Sequence, residues 1–273
     1  MSVTWETLRE AMLQAREVRR LQGDARPLIA DLGALRAEGS DIPGFGAMLD
    51  LIEAATRGPV AIAQSGQTLD GRIATARGHS HYVNGPEALD HLHRLRALVD
   101  AVVVGSGTLR ADDPSLTVRR CAGDNPTRVV LAGTGRVPRD RKLFTDDAAP
   151  TLVTGVDLPC EPDDDGHVDP RGVLESLSAF GLDVVLVEGG AKTVSHFLAA
   201  GCLDRLHLLV APTILGSGRE GFVLDPVETM DEVRRFSASR YDLGADTLFD
   251  LVPGGREPDP DRVGEADASG SGE

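Results

Sequence analysis

The chain has 273 residues, room for one large domain or one domain with an appendage, and its 41% hydrophobic and 26% charged residues are ordinary usage for a folded soluble protein. A formal charge of −15 argues against general nucleic-acid binding, because phosphate affinity comes from clustered Lys and Arg. No run approaches the ~18–20 apolar residues of a membrane span. The start, MSVTWETLREAMLQ, places acids where a signal peptide needs a basic and then an apolar stretch, so a cytoplasmic location is expected. Cys121, Cys160 and Cys202 are too few and scattered for a disulfide framework, and none forms a C-x-x-C pair that would suggest zinc. Lys142 and Lys192 are the only lysines, leaving two candidates for Schiff-base chemistry.

In chain order, Trp5, Leu8, Met12, Ala15 and Val18 recur at helical spacing, predicting a helix from residue 4 to about 21 with Thr4 as a partial cap. Gly23 and Pro27 end it, and a second, weaker helix is expected over Ala47–Ala55. Residues 1–57 thus read as a helical extension that packs on the main body or on a second subunit. From Pro59 short apolar runs alternate with helical segments. Strands are expected at Val60–Ala63, Ala101–Val104, Arg128–Ala132, Thr151–Thr154 and Val184–Val187, and helices at Glu87–Val99, Val173–Phe180 and Lys192–Ala200. That alternation predicts an α/β fold with a mainly parallel sheet flanked by helices. After Leu206 the pattern is strand only (Leu206–Val210, Phe236–Asp242, Thr247–Val252), read as antiparallel strands at the sheet edge. The acidic stretch Asp157–Pro170 reads as a surface loop, and residues 253–273 as a disordered acidic tail.

Ligands of parallel sheets bind beyond the carboxyl ends of the strands. Three glycine-rich segments fall at such ends: Gln64–Arg72, Gly105-Ser106-Gly107-Thr108, and Glu188-Gly189-Gly190-Ala191-Lys192-Thr193. The last is a strand-to-helix junction, where bare amides approach a phosphate at the positive helix end. One such turn is most simply a tight turn; three together point to a phosphate-bearing ligand. No segment spells G-x-G-x-x-G. Arg96, Arg110, Arg119, Arg136 and Arg139 are candidate anion ligands, against the plain reading of solvated surface groups. Asp112-Asp113-Pro114 is a turn or cap before it is a metal site. His79, His81, His91 and His93 cluster in sequence, but His-x-His on a helix points to different faces, which disfavours zinc. The zinc-deaminase signature and the G-x-S-x-G elbow are missing. Glu188, ending an apolar strand beside two glycines, is placed to hydrogen-bond a polar substrate or to handle a proton.

The stretches T-L-D-G-R-I-A-T (68–75), G-x-S-x-Y (78–82), L-R-A-L-V-D-A-V-V-V-G-S-G-T-L-R-A-D-D-P-S-L-T-V-R (95–119), V-E-G-G (187–190) and L-D-R-L-x-L-L-V-A-P (203–212) resemble the reductase domain of riboflavin biosynthesis, the C-terminal half of bifunctional RibD proteins. The resemblance covers roughly residues 58–252. It implies a dihydrofolate reductase-like fold, a homodimer, and NADPH-dependent reduction of the ribosyl group of a 5-amino-6-(5-phosphoribosylamino)uracil-type precursor to ribityl. Carried over by position, it implies substrate contacts at Ser80, Arg96, Leu116, Arg119 and Glu188, with Glu188 in the catalytic position as an orienting group. Cofactor contacts are implied at Gly66, Tyr82, Thr108 and Asp112, with Gly189, Gly190, Ala191, Lys192 and Thr193 around the pyrophosphate. Arg136 or Arg139 is a candidate for the 2′-phosphate of NADPH. No metal is implied, because a protonated imine at C1′ is already electrophilic. Fused bacterial enzymes carry Lys where this chain has Gln64, Trp at Tyr82 and often Ser at Gly133. The Gln64–Thr68 run is nearer the stand-alone archaeal and fungal reductases, which act before deamination. A family member acting on another pyrimidine or pteridine, and a non-catalytic partner that kept the fold, are the alternatives.

Overall fold

The computed structural model describes residues 2–80, 83–133 and 137–254. His81, Tyr82, Arg136 and residues 255–273 lie outside the described residues, and with them the roles read for Tyr82 and Arg136 and nearly all of the tail.

Three helices open the chain: α1 (Trp5–Arg20), α2 (Arg26–Glu38) and α3 (Phe45–Arg57). The Thr4 hydroxyl accepts from the Thr7 amide and caps α1. Helix α2 corrects the reading of Pro27 as an ending. Pro27 sits in the first turn of a new helix, where its missing N–H costs nothing, and Ala25 ahead of it offers no cap to announce the start. There follow β1 (Val60–Thr68), β2 (Arg72–Ala74), α4 (Pro86–Leu98), β3 (Ala101–Gly105), α5 (Ser106–Asp112), β4 (Thr127–Leu131), α6 (Lys142–Thr145), β5 (Thr151–Val153), α7 (Pro170–Ala179), β6 (Val184–Glu188), α8 (Ala191–Ala199), β7 (Arg205–Ala211), β8 (Arg219–Glu220), β9 (Phe236–Leu243) and β10 (Asp246–Pro253).

The main sheet runs β5-β4-β3-β6-β1-β7-β10-β9. Its first six strands are parallel and only β10 and β9 are antiparallel. Strand β7, grouped above with the antiparallel edge, pairs in parallel with β1 from Ile62↔Arg205 to Thr68↔Ala211, because α8 is a crossover that returns the chain in the same direction. For the same reason β1 is nine residues long rather than four. Its polar half, Gln64–Thr68, looks like a loop in sequence but is laddered to β7.

Alternate residues of each strand feed two cores. Val60, Ile62, Val102, Val104, Val184 and Leu186 pack with Leu8, Met12, Met48, Ile52, Leu95 and Leu98 of α1, α3 and α4. Ala61, Ala63, Val103, Val129, Val185 and Val187 pack with Val173, Leu177, Val194 and Phe197 of α7 and α8. The N-terminal helices therefore pack on the main body and share its core. Arg16–Asp100 (3.0 Å) and Arg19–Asp183 (3.1 Å) pair α1 with the residues just ahead of β3 and β6. The 157–170 segment is also more than a surface loop, since Leu158, Cys160 and Val168 are buried in the second core. Ile52 is fully buried between α3 and the sheet. Ile52→Ala is expected to cost about 2–5 kcal/mol of unfolding free energy, read from the urea midpoint.

Candidate functional site

A cleft of about 1060 Å³ opens at the carboxyl ends of the parallel strands, at the position the topology demands of a ligand site. It is lined by Gln64 and Gly66 of β1, Ser80, Val83 and Asn84 ahead of α4, Gly105–Thr108 and Asp112 of α5, and Glu188–Thr193 at the β6–α8 junction. Of the residues singled out from sequence, the cleft brings together Gly66, Ser80, Thr108, Asp112, Glu188, Gly189, Gly190, Ala191, Lys192 and Thr193.

Two helix N-termini meet here. The turn Gly105-Ser106-Gly107-Thr108 is the start of α5, and the Thr108 hydroxyl accepts from the Gly190 amide at 3.3 Å, tying the start of α5 to that of α8. Gly189 has φ +145, and a Cβ there would stand 3.4 Å from the Thr108 hydroxyl. That bare backbone between two helix starts is a cradle suited to a pyrophosphate, and the residues present fit a nicotinamide dinucleotide. Gly66 is required by close approach, since a Cβ would lie 1.9 Å from Asn84 Oδ1. Gln64 Oε1 and Asn84 Nδ2, both buried along this wall, have no hydrogen-bond partner among the described residues, which leaves an acceptor and a donor for a polar ligand.

Glu188 is buried and held by Arg96 in a two-pronged ion pair, with Nε to Oε1 and Nη2 to Oε2 both at 2.7 Å. The third guanidinium nitrogen, Nη1, donates to the Thr117 carbonyl at 3.1 Å. Burial opposes the charge on Arg96, but the Glu188 carboxylate more than offsets it, and the Arg96 pKa rises above its ordinary value. Arg96 thus stands behind Glu188 instead of lining the cleft, as the sequence reading had it. Arg119 is exposed beside the pair, its Nη1 donating to the Thr117 hydroxyl at 2.8 Å. Thr117 thus touches both Arg96 and Arg119, but Arg119, like Arg96, is not among the residues that line the cleft. Leu116 does not face the cleft. Its side chain is in the first core, and its left-handed backbone (φ 51) turns the chain so that 117–119 run alongside α4. His93 Nδ1 accepts from the Arg119 amide at 2.9 Å and fixes that turn. Burial, then the charges of Arg96, Arg119 and Arg120, lower the His93 pKa to about 4, so the ring is a neutral acceptor at pH 7.

The other candidates have structural roles. Asp113 caps the end of α5 in a left-handed conformation (φ 41), and its carboxylate accepts from the Lys142 amide at 2.9 Å. His91 is fully buried and pairs with His207 at 2.9 Å; burial, then His207, drives its pKa well below the usual value. Arg110 donates to the Ser106 hydroxyl at 3.1 Å, and Arg139 lies over the Phe144 ring at 4.6 Å. Among the described residues no group of three or more His, Cys, Asp or Glu could hold a metal ion.

Sequence reasoning missed a strap after β7. Arg219, Glu220 and Val223 line the cleft opposite Ile73, Ala74 and Gly78, joined to them by the small β2–β8 sheet. Asp70 secures the strap by accepting from the Leu215 and Gly216 amides at 3.0 and 2.7 Å. A hydrogen bond from Thr68, then the Leu215 amide, lowers the Asp70 pKa to about 2. The acid of T-L-D-G-R was the available signal, but nothing local to it names a partner 145 residues away.

Two measurements test this geometry. Arg96→Ala strands a buried carboxylate and is expected to cost about 3–5 kcal/mol in chemical denaturation, while the Arg96→Ala/Glu188→Ala pair recovers part of the loss. In an NMR titration His93 is expected to protonate at about pH 4, with the Arg119 amide shift following the same curve. Because its folded pKa lies below the unfolded one, the contribution of His93 to stability is complete above the unfolded value near 6.5 and is lost as pH falls through about 4.

Comparison with known proteins gives this geometry its family. Residues 59–243 match the RibD C-terminal domain. The chain is 35% identical over 215 residues to the 2,5-diamino-6-ribosylamino-4(3H)-pyrimidinone 5′-phosphate reductase of Methanothermobacter thermautotrophicus, covering 71% of this chain and 98% of that protein. It is 33% identical over 171 residues to the riboflavin biosynthesis protein RibD of Synechocystis, covering 58% of this chain and 46% of RibD, so it spans about half the length of that relative. The structure of a diaminohydroxyphosphoribosylaminopyrimidine deaminase/5-amino-6-(5-phosphoribosylamino)uracil reductase from Thermotoga maritima shares the fold, with a TM-score of 0.62, 23% identity, and coverage of 81% of this chain and 66% of that one. The chain belongs to the RibD C-terminal domain family.

Proposed function

We propose that the protein is an oxidoreductase of riboflavin biosynthesis that uses NADPH to reduce the ribosyl group of a phosphorylated aminopyrimidine to ribityl. The reading is carried by one observation: the buried Glu188–Arg96 pair stands at the head of a cleft whose other wall is the joined amino ends of α5 and α8. The 2,5-diamino-pyrimidinone form of the substrate is favoured. The relative named for it is matched along 98% of its length, and this chain has the neutral amide of Gln64 where fused enzymes carry a lysine charge. The homodimer belongs to the same reading and is supported by six large apolar side chains left exposed between Ile214 and Met230.

When bound, the dinucleotide supplies hydride to C1′ of the ring-opened sugar. The protein contributes alignment and exclusion of water. Gly189–Thr193 and Thr108 hold the dinucleotide by its phosphates. Arg119 and Ser80 hold the sugar phosphate, since a guanidinium presents paired donors to phosphate oxygens. Glu188, fixed on two sides by Arg96, keeps lone pairs for the hydroxyls of the opened ribose and so orients C1′. Gln64 Oε1 and Asn84 Nδ2 offer the pyrimidine edge an acceptor and a donor that are otherwise unpaired.

NADPH oxidation by the full chain with the diamino and deaminated precursors tests this. Turnover of the diamino form is expected, and absence of turnover with both forms overturns the proposal. Arg119→Ala is expected to raise the KM for the pyrimidine phosphate by about tenfold or more, with a much smaller effect on that for NADPH. Equal losses for both would remove Arg119 from the phosphate site.

A further inference from the structure

The strap after β7 carries a charge that the contacts assigned so far leave unused. Arg219 and Glu220 of β8 both line the cleft, but only Glu220 is neutralised, by Arg72 Nη1 at 3.2 Å. Arg219 makes no side-chain hydrogen bond or ion pair among the described residues. Its backbone pairs with Ala74, and its guanidinium lies against Gly78, where a Cβ would stand 2.7 Å from Nη2. Gly78 has φ +87, so a glycine serves there both for the turn and for the close passage of the arginine.

The strap that presents this arginine is a bracket fixed at both ends. At its start Asp70, bonded in turn by the Thr68 hydroxyl, holds the Leu215 and Gly216 amides. In the middle the Gly221 amide donates to the Gly71 carbonyl at 2.9 Å, and Gly218 passes so near β2 that a Cβ would meet the Ala74 carbonyl oxygen at 2.2 Å. At its end the Val223 amide donates at 2.8 Å to the hydroxyl of Ser195, which is buried on α8. The backbone under Arg219 is therefore ordered before a ligand arrives, and only the side chain has to settle.

Position says which anion the arginine suits. The cradle at the starts of α5 and α8 lies beyond β3 and β6, whereas the strap leaves the end of β7, which β1 separates from β6 by two strand spacings, about 10 Å. Of the acids that line the cleft, Glu188 is paired with Arg96, Glu220 with Arg72, and Asp112 lies on α5, which follows β3, three strands from β7. The other basic groups of the lining, His167, Lys192 and His196, belong to the 157–170 segment and to α8. Arg219 is thus a second positive point, separate from the dinucleotide cradle. Ser80, two residues on from Gly78, lines the cleft beside it. A guanidinium next to a hydroxyl, across the strands from Glu188 by a span that an open-chain pentose bridges, suits a phosphate monoester. We propose that Arg219 binds the sugar phosphate together with Ser80 and makes the cleft select the phosphorylated aminopyrimidine over its dephosphorylated form. This rests on the reductase reading above and adds to the contacts given there a cation that lines the cleft, which Arg119 does not.

The test compares the full chain with Arg219→Gln and Arg219→Lys, substitutions at an exposed side chain where folding is not at stake. Two ratios are read: kcat/KM for the diamino precursor with and without its phosphate, and calorimetric affinity for ribose 5-phosphate against ribose in the presence of NADP. The unaltered protein is expected to favour the phosphorylated member of each pair by about tenfold or more, the effect of a charge-assisted contact. In Arg219→Gln both ratios are expected to fall towards one through loss on the phosphorylated member alone, with the KM for NADPH unmoved. Arg219→Lys is expected to keep part of the preference, since it retains the charge and loses the paired donors. An Arg219→Gln protein that keeps both ratios, or an unaltered chain indifferent to the phosphate, overturns the proposal. Binding of ribose 5-phosphate that depends on Arg219, without turnover of any aminopyrimidine, supports the strap contact and removes the reductase reading. Turnover that Arg119→Ala impairs and Arg219→Gln leaves intact does the reverse.

Discussion

The architecture turns on a row of polar side chains that register forces onto one face of an otherwise apolar sheet. Glu188 of β6 pairs with Gln64 of β1, Gln64 with His207 of β7, and His207 with Asp250 of β10. Neighbours in register share a face, so four adjacent strands carry a polar group at the same level, directly beyond the Val and Leu layers of the first core. Buried polar groups need partners. Arg96 and His91 come from α4 to meet Glu188 and His207, and Arg205, two residues before His207 on the same face, meets Asp250. Among the described residues of the row, Gln64 Oε1 beside the cleft has no hydrogen-bond partner, and neither do the second ring nitrogens His91 Nδ1 and His207 Nε2. The row therefore fixes α4 over the sheet and leaves Gln64 Oε1 unpartnered beside the cleft.

The network explains what the N-terminal helices do for the site. Arg205 also pairs with Asp50 of α3, and Asp50 with Arg36 of α2, so the polar row continues out of the sheet into the extension. Burial alone would raise the Asp250 pKa, yet the contacts with His207 and Arg205 hold it below the usual value, so the carboxylate stays charged within the row. Together with the apolar packing of Leu8, Met48 and Ile52, this makes the first 57 residues a supporting layer for α4 and hence for Arg96 and His93. Rigid elements thus carry the Glu188 end of the cleft, while the strap tied by Asp70 and the loop tied by Asp163 border it elsewhere.

Two ends of one cleft are handled by different physics. At one end Glu188 is fixed by Arg96, which balances its charge, so that it does not stand as an unpaired buried ion. At the other the starts of α5 and α8 present backbone amides, which need no counter-charge and cannot be displaced by rotamer changes. On the proposed reading an overall acidic protein holds multiply charged ligands in this way because the field that matters is local.

Much of this was legible in the chain itself. Apolar periodicity located β3, β4, β6, α4, α7 and α8, since a strand buried on both faces and a helix with one apolar face leave signatures in neighbouring residues. Glycines at strand ends located the cleft that they now line. What local pattern does not contain is pairing. The polar half of β1 became strand only because β7 lies beside it; β7 runs parallel because of where α8 leads; α2 begins without a cap. The partner of Glu188 is 92 residues away, that of Asp70 is 145 away, and the His167–His196 stack joins a loop to a helix. Composition and periodicity determined the class of fold, the ends of the strands and the general place of the cleft. Which charges cancel, which stay free and which way each side chain faces were decided by tertiary contact, since such energies depend on distances between residues that the sequence keeps far apart.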